Sequence, residues 1–118
     1  MLTKSHRFHG HGSLRYVYKN GTAIRSRLVT IKYTKNTHRK HSRFAIVVSK
    51  KVLKSAVGRN RIRRRIYEIV RLQLPNITSP HDVAIMVFSS EVTSLPDIEL
   101  TTLITQLFSQ AGFFQSQS

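Results

Sequence analysis

Between Ser49 and Pro75 the chain reads SKKVLKSAVGRNRIRRRIYEIVRLQLP, in which nine basic side chains (Lys50, Lys51, Lys54, Arg59, Arg61, Arg63, Arg64, Arg65 and Arg71) meet one acid, Glu68. Internal ion pairs cannot neutralise so many cations. Guanidinium groups bind phosphate oxygens through paired donors, and Asn60 adds a directional polar contact. The chemistry on offer in this stretch is polyanion binding.

Hydrolysis by the chain itself has less to draw on. Two-metal chemistry needs several converging carboxylates. Glu68, Asp82, Glu91, Asp97 and Glu99 are scattered, and only Asp82 adjoins a run that reads as a core strand. His6, His9, His11, His38, His41 and His81 could supply a general acid and base, and HRFHGH could hold Zn²⁺. That cluster lies in a Gly-containing terminal segment with little to orient it, so solvated loop histidines are expected. No catalytic and no metal-binding residue is assigned to the chain.

The rest of the sequence agrees with a polyanion partner. Net charge is +15, far beyond what solubility needs, and such self-repulsion destabilises a compact state unless a polyanion screens it. All 20 Lys and Arg lie between Lys4 and Arg71, whereas four of the five acids follow. A basic surface kept for solubility would mix the two signs. Nucleic acid is the leading partner. The 118 residues, 40% apolar, suit one domain spanning 1–118, with 1–12 and 114–118 expected to be flexible. The absence of cysteine fits a reducing cytoplasm. There is no apolar run of about 18 residues for a membrane span and no signal-peptide core, so a soluble cytoplasmic protein with no membrane association is expected.

The elements that position these groups can be read from periodicity. HGSLRYVYKNG suits a short helix from about Ser13, with Leu14, Val17 and Tyr18 on one side and a stop at Asn20-Gly21. RLVTIKYT alternates, Val29, Ile31 and Tyr33 against Leu28, Thr30 and Lys32, as a two-faced strand does. RFAIVVS and HDVAIMVF read as buried strands, and the basic stretch between them is long enough for a crossover helix in a βαβ unit. Its apolar stripe is Ile62, Ile66, Ile69 and Val70, with Pro75 ending it. Arg61, Arg64 and Arg71 then face away from the stripe, and Arg63 and Arg65 flank it. Glu68 can pair with Arg64 or Arg71. Arg59 falls on the apolar side of the first turn, where a cation opposes the helix dipole, so it is expected to be kept for a contact. SLPDIELTTLITQLFSQAGFF suits a terminal packing helix capped by Ser94, with Leu100, Leu103, Ile104, Leu107 and Phe108 as its stripe and a frayed QSQS tail.

FAIVVSKKVLKSAVGRNRIRRRI closely resembles the signature of the protein subunit of bacterial ribonuclease P, in which a strand ending Ser-Lys-Lys leads to a helix opening Arg-Asn-Arg; YKNG and HDVAIMVF sit where that family has comparable segments. The resemblance implies a two-layer α-β sandwich of order αβββαβα, of the α+β class, similar to the ribosomal protein S5 domain 2-like fold. It also implies a left-handed crossover between the parallel strands, where general statistics favour the right hand. The implied function is assistance to a catalytic RNA that removes the 5′ leader from precursor tRNA, with Mg²⁺ held mainly by the RNA subunit and substrate and no protein partner required. The implied RNA-subunit contacts are Lys50, Lys51, Lys54, Arg59, Asn60, Arg61, Arg63, Arg64 and Arg65. The leader, being single-stranded, needs cations beside aromatic faces, and the implied contacts are Leu14, Tyr16, Tyr18, Lys32, Tyr33 and Ser49; Phe8 has the same composition around it.

The chain departs from the family in four places. Leu14 and Tyr18 stand where Phe is common, VLKSAVG lengthens the link from Lys51 to Arg59, Tyr67 replaces a common cation, and the last helix is uncharged by Lys or Arg. Two other classes stay open on the residues alone, a structural ribosomal RNA-binding protein and a self-sufficient nuclease.

Overall fold

Residues 11–36 and 41–114 are described by the computed structural model. Their order is α1 (His11–Asn20), β1 (Thr22–Arg25), β2 (Val29–Lys35), β3 (Arg43–Val48), α2 (Ala56–Gln73), β4 (His81–Val87) and α3 (Asp97–Gln110), which is the expected αβββαβα. Of the ends expected to be flexible, 1–10 and 115–118 lie outside the described residues, whereas His11 and Gly12 belong to α1 and Phe114 bridges to Ile77.

The strands form one sheet in the order β1-β2-β4-β3, antiparallel except for the β3–β4 pair. That parallel pair is joined through α2, as the βαβ pattern anticipates. β1 is a four-residue strand, TAIR, that periodicity did not reveal. Its register against β2, Thr22 opposite Tyr33 and Ile24 opposite Ile31, depends on a long-range pairing too short to leave a pattern of its own.

Strand alternation gives the sheet two faces. On one, Val29, Ile31, Phe44, Ile46, Val48, Val83, Ile85 and Val87 pack against α2 and α3. The stripe Ile62, Ile66, Ile69 and Val70 is buried there, as are Leu100, Ile104, Leu107 and Phe108. Each such aliphatic side chain contributes roughly 1.5–3 kcal/mol on full burial, so this layer carries most of the stability. On the other face Lys32 Nζ donates to the Tyr18 carbonyl at 2.8 Å. α1 lies across that side against β2 and β4, burying Val17 outside the main core.

Two glycines are required by geometry. At Gly21, which donates to the Val17 carbonyl at 2.8 Å, a Cβ would collide with that carbonyl oxygen and crowd the Tyr33 backbone. Gly112 has φ +79°, the left-handed conformation that ends a helix at little cost. Phe113 N–H then reaches the Phe108 carbonyl at 3.1 Å and Gly112 N–H the Ser109 carbonyl at 3.1 Å, the paired closure of a Schellman turn. Phe113 is thereby folded back into the core.

Two helix-end expectations change. Leu74, before Pro75, keeps helical angles (φ −51°, ψ −42°), and the chain tightens into a 3-10 turn over Leu74–Asn76 before leaving. Ser94 does not cap α3; it closes a 3-10 turn over Ser90–Ser94, and Pro96 precedes the helix without a side-chain cap. Asp97 and Glu99 in the first turn supply the negative charge the helix dipole favours. No helix among the described residues is long and apolar enough to cross a membrane.

Candidate nucleic-acid interface

α2 starts where Ser55, extended at φ −68° and ψ 120°, accepts the Gly58 N–H on its hydroxyl at 3.0 Å. Before it the chain turns sharply after β3, with the Ser49 carbonyl accepting from Val52 and Leu53, both at 3.1 Å. Leu53 then lies so near Gly58 that a Cβ there would press on its side chain. This turn leaves Ser49, Lys50, Lys51 and Lys54 exposed in a row leading into the helix.

The cations of α2 divide into two sets. Arg61 and Arg64 are exposed, and no intramolecular hydrogen bond or ion pair engages either among the described residues. Arg63 donates to Asn60 Oδ1, which orients both side chains on the same surface. The remaining arginines are committed. Arg71 pairs with Glu68, whose carboxyl is held below its ordinary range first by that hydrogen bond. Glu68 therefore serves Arg71 and leaves Arg64 open.

Arg59 answers the puzzle of a cation in the first turn. Its Nη1 donates to the carbonyls of Leu53 at 2.9 Å and Lys54 at 2.7 Å, so it is kept for a contact with its own preceding loop. Arg65 departs further from the sequence reading, which groups it with the phosphate contacts. Its Nε reaches Asp97 Oδ1 at 3.1 Å, Nη1 the Val92 carbonyl at 3.0 Å and Nη2 the Leu95 carbonyl at 2.5 Å, with the side chain only 20% exposed. It is a strut between α2 and the segment entering α3. Tyr67 is half-buried against the core.

The residues expected to meet single-stranded RNA are not gathered in one place. Leu14 and Tyr18 are half-buried one turn apart on α1, and burial raises the Tyr18 hydroxyl pKa. Lys32 joins them from the sheet through its bond to the Tyr18 carbonyl. Tyr33, being the next residue in the strand, points to the other face, edge-on to Phe113 with centroids 5.1 Å apart. Tyr16 is 58% exposed on α1 and lines a hollow with Tyr33. Ser49 stands apart, in the turn after β3.

Lys35 and His81 also line that hollow and were not singled out as site residues. They lie opposite one another in the β2–β4 register, a relation that no local spacing encodes. His81 Nδ1 is 2.8 Å from the Ser79 carbonyl, and burial lowers its pKa despite that bond. Phe8, His6, His9 and His38 lie outside the described residues, and nothing is said of the His11 side chain. The described residues bring no three His, Asp or Glu side chains together at metal-binding spacing.

Comparison with known proteins gives one family. Residues 2–112 match the family model described as Ribonuclease P. A "Ribonuclease P protein component" of Exiguobacterium is 31% identical over 116 residues, 98% of either chain. One from Synechocystis is 36% identical over 96 residues, covering 81% of this chain and 77% of its own. The structure of the Staphylococcus aureus RNase P protein superposes with a TM-score of 0.84 over 95% of this chain and all (100%) of its own, at 23% identity. That of Thermotoga maritima gives 0.79 over 88% and 96%, at 21% identity.

Proposed function

The chain belongs to the ribonuclease P protein family, and from that premise we propose that it is the RNA-binding subunit of a cytoplasmic ribonucleoprotein that removes the 5′ leader from precursor tRNA. In this reading the RNA subunit carries out the hydrolysis. The protein docks on it through the exposed surface of α2 and the preceding loop: Lys50, Lys51, Lys54, Asn60, Arg61, Arg63 and Arg64, with the remaining donors of Arg59 at the edge. The leader runs along α1 and the sheet, meeting Tyr16, Tyr18 and Lys32.

One observation carries the docking surface. On a helix where Arg59, Arg65 and Arg71 all find protein acceptors, Arg61 and Arg64 stand exposed with none among the described residues. Two guanidiniums held clear of every available carboxylate are suited to phosphates, which they bind through paired donors. Contacts of this kind give position more than sequence, as holding one folded RNA requires.

The donor set also bears on Mg²⁺. Glu68, Asp82, Glu91 and Asp97, four of the five acids, are each paired with an arginine. A carboxylate already bound to a guanidinium is a poor start for a metal site. The metal is therefore assigned to the RNA subunit and substrate, where it activates the attacking water. The chain's own part is to bind, position and screen charge.

Reconstitution tests the proposal. The chain added to a bacterial ribonuclease P RNA should stimulate precursor tRNA cleavage at low Mg²⁺. No stimulation, or co-sedimentation in equal number with ribosomal subunits instead, would refute it.

A further inference from the structure

A hollow of about 450 Å³ opens where the end of α1 meets the ends of β1, β2 and β4. Its inner wall is fixed from behind. The left-handed Gly112 turns Phe113 inward, where its ring lies 4.6 Å from that of His81 and 5.1 Å from that of Tyr33. Tyr33 in turn meets His81 edge-on at 5.8 Å. On the outer wall Tyr16 keeps more than half its surface in solvent, and Lys35 is exposed at the rim.

The polar groups in this hollow are chemically biased. A carbonyl can only accept, so the short contact from His81 Nδ1 to the Ser79 carbonyl places the proton on Nδ1 and leaves neutral Nε2 an acceptor. Asn20 spends its Nδ2 donor on the Tyr16 carbonyl at 3.2 Å, leaving its side-chain oxygen to accept. Aromatic faces, two acceptors and one cation match an unstacked nucleotide whose base carries an exocyclic amine. Single-stranded RNA offers such bases with free edges; base-paired RNA does not.

We propose that this hollow reads one nucleotide of the precursor tRNA leader, stacking its base on Tyr16 and Tyr33, placing its phosphate near Lys35, and preferring adenine, guanine or cytosine over uracil. This deepens the leader-binding part of the function proposed above and rests on it. It is a site on the Tyr33 side of the sheet, apart from Tyr18 and Lys32 on the opposite side.

The test uses reconstituted holoenzyme and precursor tRNAs whose leaders are all uridine except for one adenosine moved position by position, with mature tRNA as reference. One position should favour adenosine. Tyr16→Ala should abolish that preference and weaken leader-bearing substrate by roughly 5- to 150-fold, the worth of one stacked base, with mature tRNA unchanged. Lys35→Ala should weaken the same substrates without abolishing the preference. Both positions are exposed, so folding should survive, and unchanged binding of mature tRNA confirms that it has. If both variants keep the full advantage of leader-bearing over mature substrate, leader binding stands and this hollow is not its site. If the unaltered holoenzyme shows no such advantage, the leader reading falls and the hollow with it. Loss of affinity for the RNA subunit on Tyr16→Ala would assign the hollow to that RNA and overturn the proposal.

Discussion

Arg43 and Asp82, partners across the parallel β3–β4 pair, hold each other by two hydrogen bonds, Nε to Oδ1 at 2.9 Å and Nη2 to Oδ2 at 2.6 Å. Asn36 Nδ2 adds a third bond to Oδ1 at 2.8 Å, so the end of β2 and the starts of β3 and β4 share one carboxylate. Asp82, the one acid that sequence places beside a core strand, is thus a structural tie.

Removing it should be costly. Asp82→Ala leaves a buried guanidinium without its counter-charge and is expected to lower stability by about 3–5 kcal/mol, measured by denaturant unfolding. Replacing both partners with apolar residues should cost much less. A loss under 1 kcal/mol for the single change would mean that water already shares the site.

His81 predicts the sign of a pH dependence. Burial lowers its folded pKa below the unfolded value of about 6.5, so the unfolded chain takes up a proton more readily. Its contribution is complete above about pH 6.5 and is lost as pH falls from there toward the lowered folded value. Unfolding free energy measured between pH 7.5 and 5 should decline over this window, and His81→Phe should flatten the decline. An unaltered slope in the variant would assign the effect to other groups.

Gly112→Ala separates backbone strain from crowding. Nothing lies within 4 Å of the position a Cβ would take, so the cost is conformational alone, about 1–2 kcal/mol for a left-handed non-Gly residue. Because Phe113 depends on that turn, its packing on Tyr33 and His81 should loosen, and the aromatic near-UV circular dichroism should weaken with it. Full retention of stability would show that the turn relaxes freely.

Arg65→Ala should act on the fold. It removes bonds to Asp97, Val92 and Leu95 that join α2 to the segment entering α3, so stability should fall by about 1–3 kcal/mol while the salt dependence of RNA binding stays unchanged. A changed salt slope with unchanged stability would return Arg65 to the phosphate contacts.

Much of this was legible in the sequence, and the failures have physical causes. The stripes of α2 and α3 and the three longer strands follow from periodicity, because burial of one face imposes it. Tyr33 illustrates the limit for the site. Its place beside Lys32 in sequence suggests a shared surface, yet alternation puts the two on opposite faces, and only the placement of α1 decides which face Lys32 serves. Arg59 and Arg65 carry the same charge as Arg61 and Arg64, and composition cannot separate them. Their roles depend on carbonyls released by the Ser49–Ser55 turn and by the Val92–Leu95 segment, which are visible only once the backbone is placed. Ser94 failed as a cap because the chain spends it in a 3-10 turn one step earlier.

The salt dependence of assembly with ribonuclease P RNA tests most directly whether Arg61 and Arg64 are docking cations. Each should account for about one phosphate contact, so Arg61→Ala and Arg64→Ala should each weaken binding and reduce the slope of log K against log salt by about 0.7–0.9, with the double change roughly additive. Slopes identical to that of the unaltered chain, at undiminished affinity, would show that this face of α2 does not meet the RNA.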